Sequence, residues 1–179
     1  LNMYDKDYQK GRDSLKEEKK KNHLPTYGVG PVYVCFIICL TIAGAVLSKW
    51  NCIPVMDFQK WRVPGFAFGI FLNIGGVWLW IRAVFVDRID SAIKENRLIT
   101  TGVYAWVRNP IYSAFLLICT GVVFMMGNVY LFSLIILDWM ALTILMKCTE
   151  EKWLKNLYGE EYEAYCKKVN RCWPWIPKE

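Results

Sequence analysis

Histidine is almost absent from this sequence, since His23 is the only one among 179 residues. The seven cysteines include no C-x-x-C pair. Structural zinc sites are built from His and Cys at short spacings, and disulfide frameworks need cysteines that pair in an oxidising compartment. The sequence therefore favours neither a metal site nor a disulfide framework.

Charge is also missing from three long stretches. Residues 22–48 and 63–81 contain no Asp, Glu, Lys or Arg, and residues 109–146 contain only Asp138. A helix needs about 20 apolar residues to cross the hydrocarbon core of a bilayer. The third stretch is too long for one span and contains Gly127-Asn128, a dipeptide that favours a turn. The sequence therefore predicts an all-α, polytopic membrane bundle with cytoplasmic C-terminal helices. Its four transmembrane helices are predicted near 31–49, 64–85, 111–126 and 129–147, the last two as a hairpin.

Asp138 lies inside the fourth predicted span, where an ionised side chain is costly. We expect it to contact a polar side chain of a neighbouring span, such as Asn73 or Thr120. A role in a substrate tunnel is the alternative.

The basic residues are distributed unevenly over the connecting segments. Seven Lys and Arg precede the first span, five lie between the second and third, and seven follow the fourth, against three between the first and second. The positive-inside rule then places both termini and residues 82–110 in the cytoplasm. We expect the net charge of +6 to face anionic membrane lipids, so no nucleic-acid partner is needed to explain it.

The first 27 residues are polar and of mixed charge, without the apolar core of a cleavable signal peptide. We interpret residues 1–27 as a charged cytoplasmic segment and residues 28–179 as a single membrane domain. Lipid-facing helices mainly pack, so the function is expected in the polar segments of residues 97–176.

The first polar segment, 97–112, combines a glycine, several aromatic residues and an arginine close to a proline. Gly102 permits a bend, and Pro110 fits the first turn of a helix, where its missing N–H costs nothing. The free N–H groups of that helix start, with Arg108 beside them, would bind an anion. The alternative is an interfacial anchor with three side chains in the aromatic belt of the membrane, Tyr104, Trp106 and Tyr112.

The second polar segment, 149–165, follows the fourth predicted span. A helix that continues out of the membrane is predicted to end at Gly159, with a second short helix after it. Glu151 could pair with the lysines four residues before and after it, which contributes only a few tenths of a kcal/mol. Glu150 has no basic residue three or four positions after it. A carboxylate without a partner at the membrane boundary is a candidate site residue.

Five short motifs follow one another in the second half of the chain. They are Gly102-Val103-Tyr104, Arg108-Asn109-Pro110-x-Tyr112, Glu150-Glu151-x-x-Leu154, Tyr158-Gly159-x-Glu161-Tyr162-x-x-Tyr165 and Arg171-x-x-Pro174. In this order and spacing they resemble the isoprenylcysteine carboxyl methyltransferase family, whose wider group includes phospholipid N-methyltransferases. The resemblance runs from about Leu98 to Pro174, a little under half of the chain.

The resemblance implies a membrane methyltransferase that uses S-adenosylmethionine and transfers its methyl group in line to a lipophilic acceptor. The acceptor would be a small molecule or a lipid-modified substrate that enters from the bilayer and presents a carboxylate, thiol or amine. Catalytic roles are implied for Arg171 and Glu163, with lipid phosphate as the alternative ligand of Arg171. The residues assigned to cofactor binding are Gly102, Val103, Tyr104, Arg108, Asn109, Pro110, Tyr112, Glu150, Glu151 and Leu154.

One position departs from the Arg-His-Pro pattern that is usual in the family, because Asn109 stands in place of the histidine. Its amide can still donate a hydrogen bond to a cofactor, but it cannot titrate, which excludes an acid–base role at this position. Two alternatives stay open. One is an NADPH-dependent membrane reductase of the sterol-reductase type, whose C-terminal pattern is similar, and the other is a non-catalytic membrane scaffold.

Overall fold

The computed structural model describes residues 28–54, 59–87 and 97–176, so the predicted N-terminal segment 1–27 lies outside the described residues. Across these ranges every regular element is helical, which confirms the all-α prediction. Four apolar helices form the body: α1 (Gly30–Lys49), α2 (Arg62–Ile81), α3 (Pro110–Met126) and α4 (Phe132–Cys148). Two polar helices follow, α5 (Glu150–Tyr158) and α6 (Glu160–Lys168). Short 3₁₀ turns lie at Gln59–Trp61, Gly102–Ala105 and Val129–Leu131, and a π-helical turn, Arg82–Val86, extends α2.

In the part of the chain that the structure describes, three helical stretches are long and apolar enough to cross a membrane: Gly30–Lys49, Arg62–Val86 and Val129–Tyr158. They agree with the first, second and fourth predicted spans. Helix α3 is also apolar but has only 17 residues, which gives a length of about 25 Å. It lies where the third span is predicted, and its crossing of the whole bilayer stays a prediction.

Helix α3 lies at the centre of the bundle and packs against α1, α2 and α4. Its contact with α2 is close because two α2 glycines face its backbone. A Cβ atom at Gly69 would lie 2.5 Å from the carbonyl oxygen of Gly121, and one at Gly76 would lie 2.8 Å from that of Ala114. Small residues let helix backbones approach this closely in a membrane. Gly75, by contrast, would place a Cβ atom in open space.

The hairpin between α3 and α4 turns at Gly127, whose φ of 68° lies in the left-handed region that glycine adopts readily. The side-chain oxygen of Asn128 accepts a hydrogen bond from the Tyr130 N–H, and its amide nitrogen donates to the Ser48 hydroxyl at 2.9 Å. These contacts confirm the predicted turn. They also place it at the same end of the bundle as the end of α1.

The polar segments gather at the opposite end of the bundle. Gly28, just before α1, lies against the Glu150 carboxylate at the start of α5. After α2, the carboxylate of Asp87 accepts a 2.9 Å hydrogen bond from the Val103 N–H, in the segment that leads to α3. The starts of α1 and α3 and the ends of α2 and α4 therefore lie together. The compartment that this end faces stays a prediction.

Asp138 is buried in the middle of α4, as predicted, but its neighbours differ from those expected. The amide of Asn73 donates to the Gly69 carbonyl oxygen at 2.8 Å and to the Met125 sulfur, so Asn73 faces α3 rather than Asp138. In α1, the Tyr33 hydroxyl donates to the main-chain oxygen of Asp138 at 3.3 Å. The Asp138 Oδ1 atom accepts no hydrogen bond from any residue that the structure describes. The prediction of Asn73 as its partner is wrong because α2 packs on α3 along this face. The prediction of Thr120 is wrong too, because its buried hydroxyl forms no hydrogen bond with any described residue.

Candidate functional site

The loop before α3 is held between the end of α2 and helix α6. Gly102 has a φ of 62°, and a Cβ atom there would collide with the Asp87 carboxylate. That carboxylate accepts the hydrogen bond from Val103, the next residue. The carbonyl oxygen of Tyr104 accepts a 2.6 Å hydrogen bond from the Tyr165 hydroxyl of α6. These contacts confirm the predicted bend at Gly102 and fix the loop relative to the C-terminal helices.

The segment after α6 pairs with the residues just before α3. The Arg108 N–H donates to the Asn170 carbonyl oxygen at 2.9 Å. The side-chain amide of Asn109 donates to the Arg171 carbonyl oxygen at 3.1 Å. Backbone and side-chain hydrogen bonds therefore bring Arg171 beside Arg108, although the two residues are far apart in the sequence.

Two arginines share one carboxylate at this junction. Arg171 binds Glu151 in a bidentate manner, with Nε at 2.5 Å from Oε1 and Nη2 at 2.9 Å from Oε2. Arg108 Nη2 lies 3.2 Å from the same Oε1 atom. The cluster of Arg108, Glu151 and Arg171 thus carries one net positive charge. The predicted pairing of Glu151 with its neighbouring lysines is wrong, because the folded C-terminal segment supplies two guanidinium groups instead.

Arg108 is the most buried member of the cluster, with a side chain only 8% exposed. Its Nη1 donates to the Cys166 sulfur of α6. Its Nε–H is buried and donates no hydrogen bond to any described residue. The hydrogen bonds that Arg171 donates to Glu151 raise the pKa of Arg171 above its already high ordinary value. Because two guanidinium groups face a single carboxylate, the cluster can bind one anion.

Glu150 belongs to a second polar group beside this cluster. It accepts a 2.7 Å hydrogen bond from the Tyr112 hydroxyl, near the start of α3. A Cβ atom at Gly28 would lie 2.5 Å from Glu150 Oε1, and one at Gly30 would overlap the Tyr112 ring. The Tyr33 ring packs edge-on against Tyr112 with their centroids 6.1 Å apart. The start of α1 therefore completes this side of the site.

This contribution of α1 was not predicted, because the first span has only the pattern of a generic apolar helix. The two glycines around Val29 were the available signal, since glycine marks positions where another group approaches the backbone closely. Cys166 was missed as well, because one cysteine on a polar helix carries no pattern of its own.

Three further predicted site residues belong to neither polar group, namely Pro110, Leu154 and Glu163. Pro110 is the first residue of α3, as predicted. Leu154 is half-buried and packs against the apolar cluster that contains Tyr162 and Tyr165 of α6. Glu163 is exposed and forms a 2.6 Å ion pair with Lys155, which lowers the pKa of its carboxyl. Its catalytic role stays a prediction that no contact with the arginine cluster supports.

Comparison with known proteins gives matches to membrane methyltransferases. A family model described as phospholipid methyltransferase matches residues 64–161. The chain is 38% identical over 87 residues to a protein-S-isoprenylcysteine O-methyltransferase from Schizosaccharomyces pombe, a match that covers 47% of this chain and 36% of that protein. It is 35% identical over 85 residues to a probable protein-S-isoprenylcysteine O-methyltransferase from Oryza sativa subsp. indica, covering 46% and 43%.

The matched region contains most of the site described above. The family model ends at residue 161, so it includes the loop before α3 and the whole of α5. The chain spans less than half the length of these two relatives. No solved structure matches the chain.

Proposed function

Because the chain belongs to the phospholipid methyltransferase family, we propose that it is an integral membrane methyltransferase that uses S-adenosylmethionine. One observation carries the proposal: the arginine cluster, with its single net positive charge, lies beside the Glu150–Tyr112 pair. Glu150 directly precedes Glu151, so a second carboxylate lies next to the anion site that the arginines form around Glu151. This arrangement suits a ligand that carries both a carboxylate and an ammonium group. The amino-acid end of S-adenosylmethionine carries both.

The donors present fit this cofactor. The buried Nε–H of Arg108 lacks an acceptor among the described residues, and a carboxylate would provide one. Glu150 can accept hydrogen bonds from an ammonium group or from ribose hydroxyls. We propose that the adenosine is covered by Tyr112, which contacts Glu150, and by the half-buried Leu154, which lies one turn after Glu150 on α5. We propose that Tyr104, which is almost completely buried, supports the loop from beneath instead of contacting the cofactor.

The cofactor supplies an electrophilic methyl group, and the chain supplies positioning and exclusion of water. The two arginines orient the amino-acid end, and Glu151 holds them in a fixed geometry. Asn109 cannot take up a proton, and its amide is already used in holding Arg171. Its role is therefore to position Arg171, while in-line transfer gains mainly from alignment of the reacting atoms.

We propose a lipophilic carboxylate as the methyl acceptor. A carboxylate is deprotonated at neutral pH and needs no general base, which agrees with an amide at position 109. The names of the two relatives, both O-methyltransferases of isoprenylcysteine, support an acceptor of this class. The positive-inside rule supports a site that faces the cytoplasm, together with both termini.

Calorimetric titration of the detergent-purified protein with S-adenosylhomocysteine tests the cofactor. We expect micromolar binding, and an affinity about 10- to 100-fold lower in Glu150→Gln, because a charged hydrogen-bond acceptor typically contributes 1.5–3 kcal/mol. Glu160→Gln is the matched control, since Glu160 is an exposed acid at the start of α6. It should bind like the unaltered protein.

NADPH titrated in parallel decides between the enzyme classes. The 2′-phosphate of NADPH needs additional cationic side chains. The arginine cluster has only one positive charge that Glu151 does not neutralise. Binding of NADPH in place of S-adenosylhomocysteine would reject the methyltransferase proposal. A folded protein that bound neither ligand would reject it as well.

A further inference from the structure

Several bulky apolar side chains are exposed next to the site, outside the transmembrane helices. Trp106, in the loop before α3, is 50% exposed, and in the C-terminal segment Trp175 is 68% and Ile176 81% exposed. Trp173 is exposed in the same segment. A water-facing surface rarely carries so many large apolar groups together, so such a patch marks a binding surface.

The patch is attached to the bundle in a defined way. The Trp175 N–H donates to the Trp106 carbonyl oxygen at 3.1 Å. The Trp106 ring lies 6.2 Å from the ring of Trp78, which is exposed on α2. Other exposed apolar residues continue along the same helix, including Ile74, Ile81 and Phe85.

The patch therefore extends the lipid-facing surface of α2 without a break. The apolar span that contains Trp78 ends at Val86 and is followed by Asp87, so Trp78 lies within its last three turns. Trp106 contacts Trp78 and Trp175, so all three lie near the end of this apolar span. Indole rings favour the boundary between the hydrocarbon core and the headgroups because one part of the ring is apolar and its N–H remains a hydrogen-bond donor.

We propose that Trp106 and the segment Trp173–Ile176 form an interfacial membrane anchor, with the lipid bilayer as its binding partner. This proposal depends on the membrane-spanning helices and not on the methyl-transfer activity. Arg171 lies only two residues before the anchor, and Arg108 two residues after Trp106. Contact with the bilayer on this side therefore holds both arginines of the cluster at the membrane surface, where a lipophilic acceptor arrives.

The position of Trp175 can be measured by fluorescence quenching in lipid nanodiscs. Trp175→Phe keeps an apolar ring but removes one indole. The difference in tryptophan fluorescence between the unaltered protein and this variant therefore reports on Trp175 alone. We expect lipids brominated near the glycerol backbone to quench this difference signal about twofold more than lipids brominated near the bilayer midplane. Aqueous acrylamide should quench it weakly.

Trp50, exposed at the end of α1, provides the reference for an interfacial indole through Trp50→Phe. A Trp175 signal that acrylamide quenches and brominated lipids leave unchanged would overturn the anchor, because the segment would then lie in water. Stronger quenching from the midplane than from the glycerol level would overturn it too, because the segment would then be inserted in the hydrocarbon core.

Discussion

Replacing Glu151 with glutamine is expected to lower the affinity for S-adenosylhomocysteine by about 100-fold or more and to destabilise the fold by about 3 kcal/mol. The carboxylate neutralises Arg108 and Arg171 at the same time. Without it, two guanidinium groups, one of them almost fully buried, repel each other and lose their common acceptor. They then no longer hold the geometry that orients the amino-acid end of the cofactor, and this loss outweighs the added positive charge. Calorimetric titration and thermal unfolding of the purified protein measure the two effects.

A second variant separates binding from stability. Combining Glu151→Gln with Arg171→Gln removes one charge of each sign, so we expect a large part of the lost stability to return. The affinity should stay low, because one of the two anion-binding groups is then missing. Glu160→Gln again serves as the control for removal of an acidic charge near α5. Unchanged affinity in Glu151→Gln would contradict the assignment of the arginine cluster to the cofactor.

Replacing Gly69 with alanine is expected to destabilise the bundle by about 2 kcal/mol. The added methyl group would lie 2.5 Å from the Gly121 carbonyl oxygen and 2.6 Å from the Met125 Cγ atom. A backbone oxygen cannot move aside as a flexible side chain can, so α2 and α3 must separate. The thermal unfolding midpoint in detergent micelles measures this loss of stability.

Gly75→Ala is the matched control for this prediction, since it is the same substitution six residues further along the same helix. Beyond its chain neighbours and the adjoining backbone of α2, no heavy atom of the described residues lies within 4 Å of a Cβ atom at Gly75. We expect this variant to be unchanged or more stable by up to about 1 kcal/mol, because alanine favours the helix over glycine. Equal destabilisation by both substitutions would show that close packing on α3 is not the cause.

Local sequence patterns predicted the helices and their ends. Charge-free stretches of sufficient length predicted α1, α2 and α4, because backbone hydrogen bonds within a helix are local and a lipid environment requires them. Gly127 and Gly159 predicted two helix ends, and both have positive φ angles. The motifs around Arg108 and Glu150 identified the polar segments that form the site.

The sequence by itself thus determined the class of fold, the order of its helices and the polar segments that meet at one end. Only the tertiary structure decided which side chains pair there. Glu151 binds Arg108 and Arg171 instead of the neighbouring lysines, and Glu150 pairs with Tyr112 under the start of α1. Helix formation depends on residues three or four positions apart, whereas these pairs depend on how distant segments pack. A buried arginine pairs with the carboxylate that the fold brings close to it, because burial removes the water that would otherwise solvate both charges. The spacing of residues in the sequence does not predict which carboxylate that is.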